Sequence, residues 1–315
     1  MAETPPQRTA SPVFRAIAFK LTSVMLFVSM SALIKSLAGQ VPPGEVVFFR
    51  SAFAAPVILI WLIFTGRMAD GLRTSNYQGH FFRGLMGTAA MGCGFAGLGL
   101  LPLPEVTAIG YAAPLLTVVF AAMFLGERVR IFRILSVALG MAGVLIILSP
   151  RLHIDMGAVG TAEALGAVLV LVGAVFAALA QVFVRKLVAE ERTSAIVFYF
   201  SINSAALSLI TLPFGWVMPD PATFVTLATC GLLGGIGQVF LTSSYRYADA
   251  SVVAPFDYAS MLVALAVGYF AFDEVPSTTV LAGAALVIVA GIVIIWRERL
   301  LGLERGAGRR ATTPQ

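Results

Sequence analysis

The sequence predicts an all-α integral membrane protein, with ten transmembrane helices arranged as two inverted five-helix repeats. Three observations predict it. Hydrophobic residues make up 59% of the chain, charged residues only 12%, and the mean hydropathy is +0.92; a soluble domain carries about 25% charged residues, because its surface must be solvated. Gly84-Leu85-Met86-Gly87 is answered 147 positions later by Gly231-Leu232-Leu233-Gly234, and the same offset pairs Tyr111 with Tyr258 and Glu127 with Glu274. A register three residues longer sets Phe48-Phe49-Arg50-Ser51 against Phe198-Tyr199-Phe200-Ser201. Each copy carries five apolar runs. Five is odd, so the second copy enters the membrane from the opposite side.

A span needs about 20 mainly apolar residues. Such runs cover 16–37, 45–66, 81–101, 105–125 and 132–149 in the first copy, then 164–184, 194–214, 223–245, 250–272 and 278–296 in the second. The implied organisation is a cytoplasmic tail (1–15), a first repeat (16–149), an external linker (150–163), a second repeat (164–297) and a basic cytoplasmic tail (298–315). Connections are short Pro/Gly turns such as Pro42-Pro43-Gly44 and Pro102-Leu103-Pro104. The runs are continuous rather than alternating, which excludes a β-barrel. The first run is followed by further spans and lacks a small-residue cleavage site, so it reads as a retained helix. Cys93 and Cys230 fall inside spans and read as packing residues, not a disulfide or metal site.

Charge sets the orientation. With the N-terminus in the cytoplasm, the inner segments hold Arg8, Arg15 and Lys20, then Arg67, Arg73 and Arg83, then Arg128, Arg130 and Arg133, followed by Arg185, Lys186, Arg192, Arg246 and the arginines of the tail. The outer loops hold Arg151 with Asp155, Asp220, Asp273 and Glu274. The positive-inside rule therefore puts both termini in the cytoplasm, and the formal charge of +5 is a topology signal rather than a nucleic-acid surface. Glu127 falls inside and its echo Glu274 outside, as an inverted repeat requires.

Duplicated membrane halves point to a transporter with its site between the repeats. Arg50 is the most unusual candidate: it sits about one and a half turns into the second span, where a charge costs several kcal/mol unless it meets a wet cavity or a partner. It either contacts a polar or anionic part of a substrate or forms a structural ion pair, with Glu45 as one partner. Lys35, near the outer end of the first span, has a side chain long enough to snorkel to the interface; the alternative is a part in gating. Asp257 lies two residues after Pro255 and beside Tyr258, and a carboxylate there either couples transport to protons or pairs with a base such as Arg246. Pro114 and Pro255 remove backbone hydrogen bonds and mark hinges. Gln181, Asn203 and Gln238 are polar at mid-span depth and either bond between helices or line a cavity. Phe49, Tyr111, Tyr199 and Tyr258 add aromatic surface that suits a largely neutral, planar or amphipathic substrate. Gly140, Gly143, Gly283 and Gly291 make the fifth and tenth spans tight packing helices, for the bundle or for a homodimer contact.

Pro43 with Glu45 and Arg50, then Leu100 and Pro102, Ala108, Pro114, Leu125-Gly126-Glu127-Arg128 and the Gly140–Gly143 helix resemble one half of an EamA-type protein of the drug/metabolite transporter superfamily. The second half resembles the same unit more weakly, because Asp273-Glu274 stands where Gly-Glu is usual and no basic residue follows. The resemblance spans about residues 16–297. It implies an inner-membrane carrier with inverted halves, a central cavity from helices one to four and six to nine, alternating access and no cofactor. Members move amino acids, purines, sugars, drugs and vitamins. The first half is most similar to alphaproteobacterial members, a group that includes riboflavin uptake proteins, so riboflavin uptake is the specific expectation and efflux of amino acids or other amphipathic metabolites its rival. The partners implied are a small-molecule substrate, the lipid bilayer and a coupling proton.

Other classes fit less well. His80 and His153 are the only histidines and both lie near the membrane surface, and there is no His-Glu-x-x-His zinc motif and no Ser/His pair at depth. A channel needs a pore ring repeated by symmetry, which is not visible. A scaffold has no use for Arg50 and Asp257 inside the membrane.

Overall fold

A computed structural model describes residues 12–125, 131–152, 158–188, 190–247 and 254–311. Among the described residues every regular element is helical. They are α1 (Pro12–Ser36), α2 (Pro43–Phe64), the short α3 (Met68–Gly71), α4 (Tyr77–Leu98), α5 (Leu103–Gly110), α6 (Ala112–Leu125), α7 (Ile131–Leu152), α8 (Ala158–Val188), α9 (Thr193–Ser208), α10 (Pro221–Tyr247), α11 (Ala259–Phe272) and α12 (Thr278–Ala311). Single 3₁₀ turns, Leu209–Thr211 and Ala254–Tyr258, extend α9 and lead into α11. Gly126, Glu127, Arg128, Arg130, His153 and Asp155 lie outside the described residues.

Six helical stretches are long and apolar enough to cross a bilayer: α1, α2, the α5–α6 run Leu103–Ala121, most of α8, α9 with its 3₁₀ extension, and most of α10. Three further apolar stretches are shorter, Ile134–Pro150, Phe256–Phe272 and Thr278–Ile294. The expected span at 81–101 forms α4, but its glycines, His80 and Arg83 leave it less apolar. The chain is a multi-pass membrane protein. Its outward-facing large side chains, Phe64, Leu262 and Phe270 among them, stand where lipid replaces water.

Local chemistry explains the breaks. Pro43 opens α2 at a position where its missing N–H is no loss. Asn76 caps α4, its Oδ1 accepting the Gly79 N–H at 2.8 Å. The expected kink at Pro114 is a full interruption: Pro114 offers no N–H to the Gly110 carbonyl and its ring crowds that oxygen, so the helix stops at Tyr111 and restarts at Ala112. Asp273 ends α11 in the left-handed conformation (φ 55°), which turns the Glu274 N–H back onto the Gly268 carbonyl at 2.9 Å.

The largest packing faces join a helix from residues 12–125 or 131–152 to one from the later half: α1 along α10, α4 along α8, α7 along α12, and α2 against α9 and α10. Glycine sets these distances. Gly143 and Gly283 bring the α7 and α12 backbones together, a Cβ on Gly143 falling 2.8 Å from the Gly283 carbonyl. Gly140 faces Leu115 and Ala290, and Gly291 makes room for the Tyr258 hydroxyl. These glycines are spent within one chain, on bundle packing. The echoed glycines of α4 and α10 also do matching work: Gly84 and Gly87 face Asn203 and Phe200 of α9, while Gly231 and Gly234 face Phe53 and Arg50 of α2.

Candidate functional site

Arg50 is 4% exposed and Arg83 8% exposed, in α2 and α4. Both lean on one ring: the Arg83 Cζ lies 3.2 Å from the Phe200 centroid and the Arg50 Cζ 5.6 Å from it. Gly234 of α10 leaves the space that Arg50 Nε and Met30 Sδ occupy. Arg50 Nε, Arg83 Nε and Arg83 Nη1 are buried with no hydrogen-bond partner, as are the Ser23 and Ser51 hydroxyls. Neither arginine forms an ion pair with a described residue. The expected Glu45 partner is engaged elsewhere: its Oε2 accepts the Val217 N–H at 3.0 Å. Arg83, read from sequence as an inner-loop charge, is corrected to a bundle residue; the glycines around it let α4 and α9 close over its stem.

At the end of the bundle where residues 37–42, 99–102 and 273–277 turn, called here the Glu274 end, Lys35 holds three elements together. Its Nζ pairs with Glu274 Oε1 at 2.9 Å and donates to the carbonyls of Leu101 (2.7 Å) and Leu98 (3.3 Å). Glu274 Oε2 accepts the Leu103 N–H at 2.8 Å. Lys35 therefore points into the protein rather than snorkelling, because the αL turn at Asp273 delivers a carboxylate to it.

At the opposite end, where residues 65–76 and 190–192 turn, Glu191 Oε1 gathers the Thr74 hydroxyl (2.7 Å) and the N–H groups of Ser75 (2.9 Å) and Asn76 (3.2 Å). Its other oxygen lies 3.8 Å from His80 Nε2, and both side chains are buried. Burial alone pushes the Glu191 carboxyl up, but the hydrogen bonds from Thr74, Ser75 and Asn76 and the neighbouring His80 outweigh it and hold the group below its ordinary value. Ser194 donates to the Gly71 carbonyl at 2.6 Å and closes the same seam. Lys20 of α1 pairs with Asp257 at 2.6 Å; the lysine is buried while the Asp257 side chain remains 42% exposed.

The other predicted residues divide. Tyr111 and Tyr258, equated by the 147-residue echo, touch each other edge-on with centroids 5.1 Å apart, and the Tyr111 hydroxyl meets Ser260 at 2.8 Å. Asn203 Nδ2 donates to the His80 carbonyl at 3.1 Å and stitches α9 to α4. The Tyr199 hydroxyl donates to the Leu72 carbonyl, its ring 4.9 Å from His80, so it belongs to the Glu191 end. Phe49 packs with Phe48, Phe53 and Phe224 on the α2–α10 seam. Gln238 is half-buried in α10, whereas Gln181 is exposed on the outside of α8, away from the other candidates. Asp257, expected well inside a span, instead lies in the 3₁₀ turn before α11 together with Pro255, and its base is Lys20; the Arg246 side chain is outside the described ones. Lys20, Arg83 and Glu191 were missed as site residues because each looks like an ordinary boundary charge until distant helices cover it.

A cavity of about 370 Å³ opens toward the Glu274 end between α2, α4 and α9, lined by Val47, Thr88, Gly92, Ser208 and Thr211 among others. Thr88 on its lining donates to the Ser204 hydroxyl at 2.9 Å, a little over one helical turn from Arg83 and Phe200. A second, of about 320 Å³, lies among α1, α2 and α4 at the same end. Among the described residues, no group of three or more His, Cys, Asp or Glu side chains is placed to hold a metal, and both cysteines are free.

A model of the EamA-like transporter family matches the chain twice, at residues 14–149 and 164–297. A pseudopaline exporter of Pseudomonas aeruginosa is 32% identical over 274 residues, covering 85% of this chain and 91% of the relative. An S-adenosylmethionine uptake transporter of Rickettsia prowazekii is 28% identical over 266 residues, covering 84% and 87%. A solved crystal structure superposes with a TM-score of 0.64 at 23% identity, covering 91% of this chain and 98% of that one, which is likeness of fold alone. Neither relative's name supports riboflavin.

Proposed function

The chain belongs to the EamA-like transporter family, and on that premise we propose that it is an inner-membrane secondary carrier of a small organic metabolite, working by alternating access. In this reading ten membrane-crossing segments form two inverted five-helix repeats, and both termini are cytoplasmic. The contact between Tyr111 and Tyr258 carries it: residues equated by a repeat touch each other only where they lie beside the two-fold axis relating the copies. Arg50 and Phe200, equated by the second register, touch as well. The α1–α10 and α4–α8 pairs exchange under the same operation, and so do the glycine seats facing α2 and α9.

The translocation path runs along that axis, past Arg50, Tyr111 and Tyr258. Asn203, Tyr199 and the Lys35–Glu274 pair belong to the gates on either side. Asp257 serves coupling: protonating it removes the anion that holds Lys20 and frees α1 from the turn before α11. Pro114, at the break between α5 and α6, and Pro255, in the turn before α11, mark the places that flex. The named relatives move S-adenosylmethionine inward and pseudopaline outward, which supports an amphipathic metabolite over a flavin. We place export first, since the exporter is the more similar of the two.

The test is counterflow with the purified full chain in liposomes across S-adenosylmethionine, amino acids, nucleosides and riboflavin. Saturable movement of an amphipathic metabolite is expected, with uphill transport lost in Asp257→Asn while exchange persists. Absence of saturable movement for every compound would sink the carrier reading, and saturable riboflavin movement would restore the flavin reading.

A further inference from the structure

We propose that Arg50 and Arg83 form a binding site for a carboxylate-bearing metabolite, with Phe200 as its platform. The assignment rests on the carrier reading and adds the chemical class of the cargo. Its first support is a contrast in how this chain treats buried cations. Lys20 is given Asp257 and Lys35 is given Glu274. Arg50 and Arg83 are as deeply buried and receive no carboxylate among the described residues. A buried charge without a counter-ion is strongly unfavourable, and a second like charge beside it is worse. A purely structural role does not account for leaving both unpaired.

The second support is geometric. A guanidinium on an aromatic face is held through its flat side, which leaves the in-plane N–H fork at its edge open. That edge is what a carboxylate engages with two parallel hydrogen bonds. Arg83 lies over the Phe200 ring with its Cζ 3.2 Å from the centroid, and its Nε and Nη1, which point along different edges of the guanidinium, both lack acceptors. The neighbours Met30, Gly87 and Gly234 are small or apolar and supply no competing side-chain carboxylate. Two guanidiniums match a dicarboxylate best. The site lies where the equated residues Arg50 and Phe200 touch, the place accessible in turn from both ends of an alternating-access carrier. The cavity lined by Thr88 lies on the Glu274 side of the two arginines.

The experiment is thermal unfolding of the full chain in detergent, with succinate, its neutral diamide and inorganic phosphate as probes. Succinate should raise the apparent Tm, and the diamide should not. Arg50→Gln and Arg83→Gln should each abolish most of that increment, and Arg→Lys at either position should retain part of it, because an ammonium keeps the charge without the fork. In the absence of any anion, Arg83→Gln should be more stable than the wild type, since an unpaired charge has been removed; a structural arginine gives the opposite sign. Equal stabilisation by succinate and its diamide, a full succinate increment in either Gln variant, or an anion-free Arg83→Gln less stable than the wild type would each overturn the site. Stabilisation by phosphate in place of succinate would overturn the carboxylate assignment. Counterflow separates the two levels: neutral cargo moved equally by wild type and both Gln variants overturns the site and leaves the carrier reading intact. A protein that binds succinate but moves nothing keeps the site and loses the carrier.

Discussion

The two ends of the bundle are fastened by the same kind of bond, but with different solvent access. At the Glu274 end the lysine and the glutamate are both about 85% covered, and each has further backbone partners. At the Glu191 end the Lys20–Asp257 pair has one buried member and one member open to water, and Glu191 relies on loop N–H groups and a hydroxyl. A covered pair is expensive to open, because each ion must be rehydrated or left alone. A half-open pair yields more readily, since water replaces the partner. Of the two lysine–carboxylate pairs, Lys20–Asp257 is thus the easier to open, and in the carrier reading proposed above this makes the Glu191 end the softer one.

The largest effect should come from the covered pair. Lys35→Met leaves Glu274 with the Leu103 N–H alone and should cost about 3 kcal/mol of stability, read as a lowered unfolding midpoint. It should also speed maleimide labelling of Val41→Cys in a background lacking Cys93 and Cys230, because Val41 is buried at that end. A labelling rate equal to the parent's would show that the pair does not hold the gate.

Next comes Lys20→Met, where Asp257 can already reach water; about 2 kcal/mol or less is expected. A loss larger than that of Lys35→Met would reverse the ranking of the two ends.

Glu191→Gln should cost about 1–2 kcal/mol through its hydrogen bonds, with a pH signature. The folded-state carboxyl is held below its ordinary value, so its contribution is complete above the unfolded carboxylate range and is lost as pH falls through the lowered folded value. The gap in apparent Tm between wild type and Glu191→Gln should therefore shrink on acidification; a constant gap would remove Glu191 from the acid-side behaviour.

The smallest effect belongs to the Tyr111–Tyr258 contact. Tyr111→Phe loses the Ser260 bond and should cost about 1 kcal/mol without favouring either end. Unequal labelling of cysteines at the two ends would show that Tyr111 biases the gates.

Much of this architecture was legible in the chain. Hydropathy located helices because bilayer and bundle both demand apolar surface, and the EamA resemblance was readable from short motifs. The echo equated Tyr111 with Tyr258 before any contact was known. Arg50 stood out because a charge inside an apolar run is conspicuous. Lys20, Arg83 and Glu191 did not, because each falls near the start of an apolar run or in a turn, where charges usually meet water. Gln181 misled for the complementary reason: depth along a helix says nothing about which face a residue occupies.

By itself the sequence determined the membrane environment and the duplication, because these depend on local composition and on comparison of the chain with itself. The tertiary structure alone decided which charges are paired. Lys20 meets Asp257 and Lys35 meets Glu274 across more than two hundred residues of chain, and Arg50 and Arg83 converge on Phe200 only when α2, α4 and α9 pack together. The cost of a charge depends on what the fold puts beside it, and for these two arginines that neighbour is an aromatic ring, with no carboxylate among the described residues.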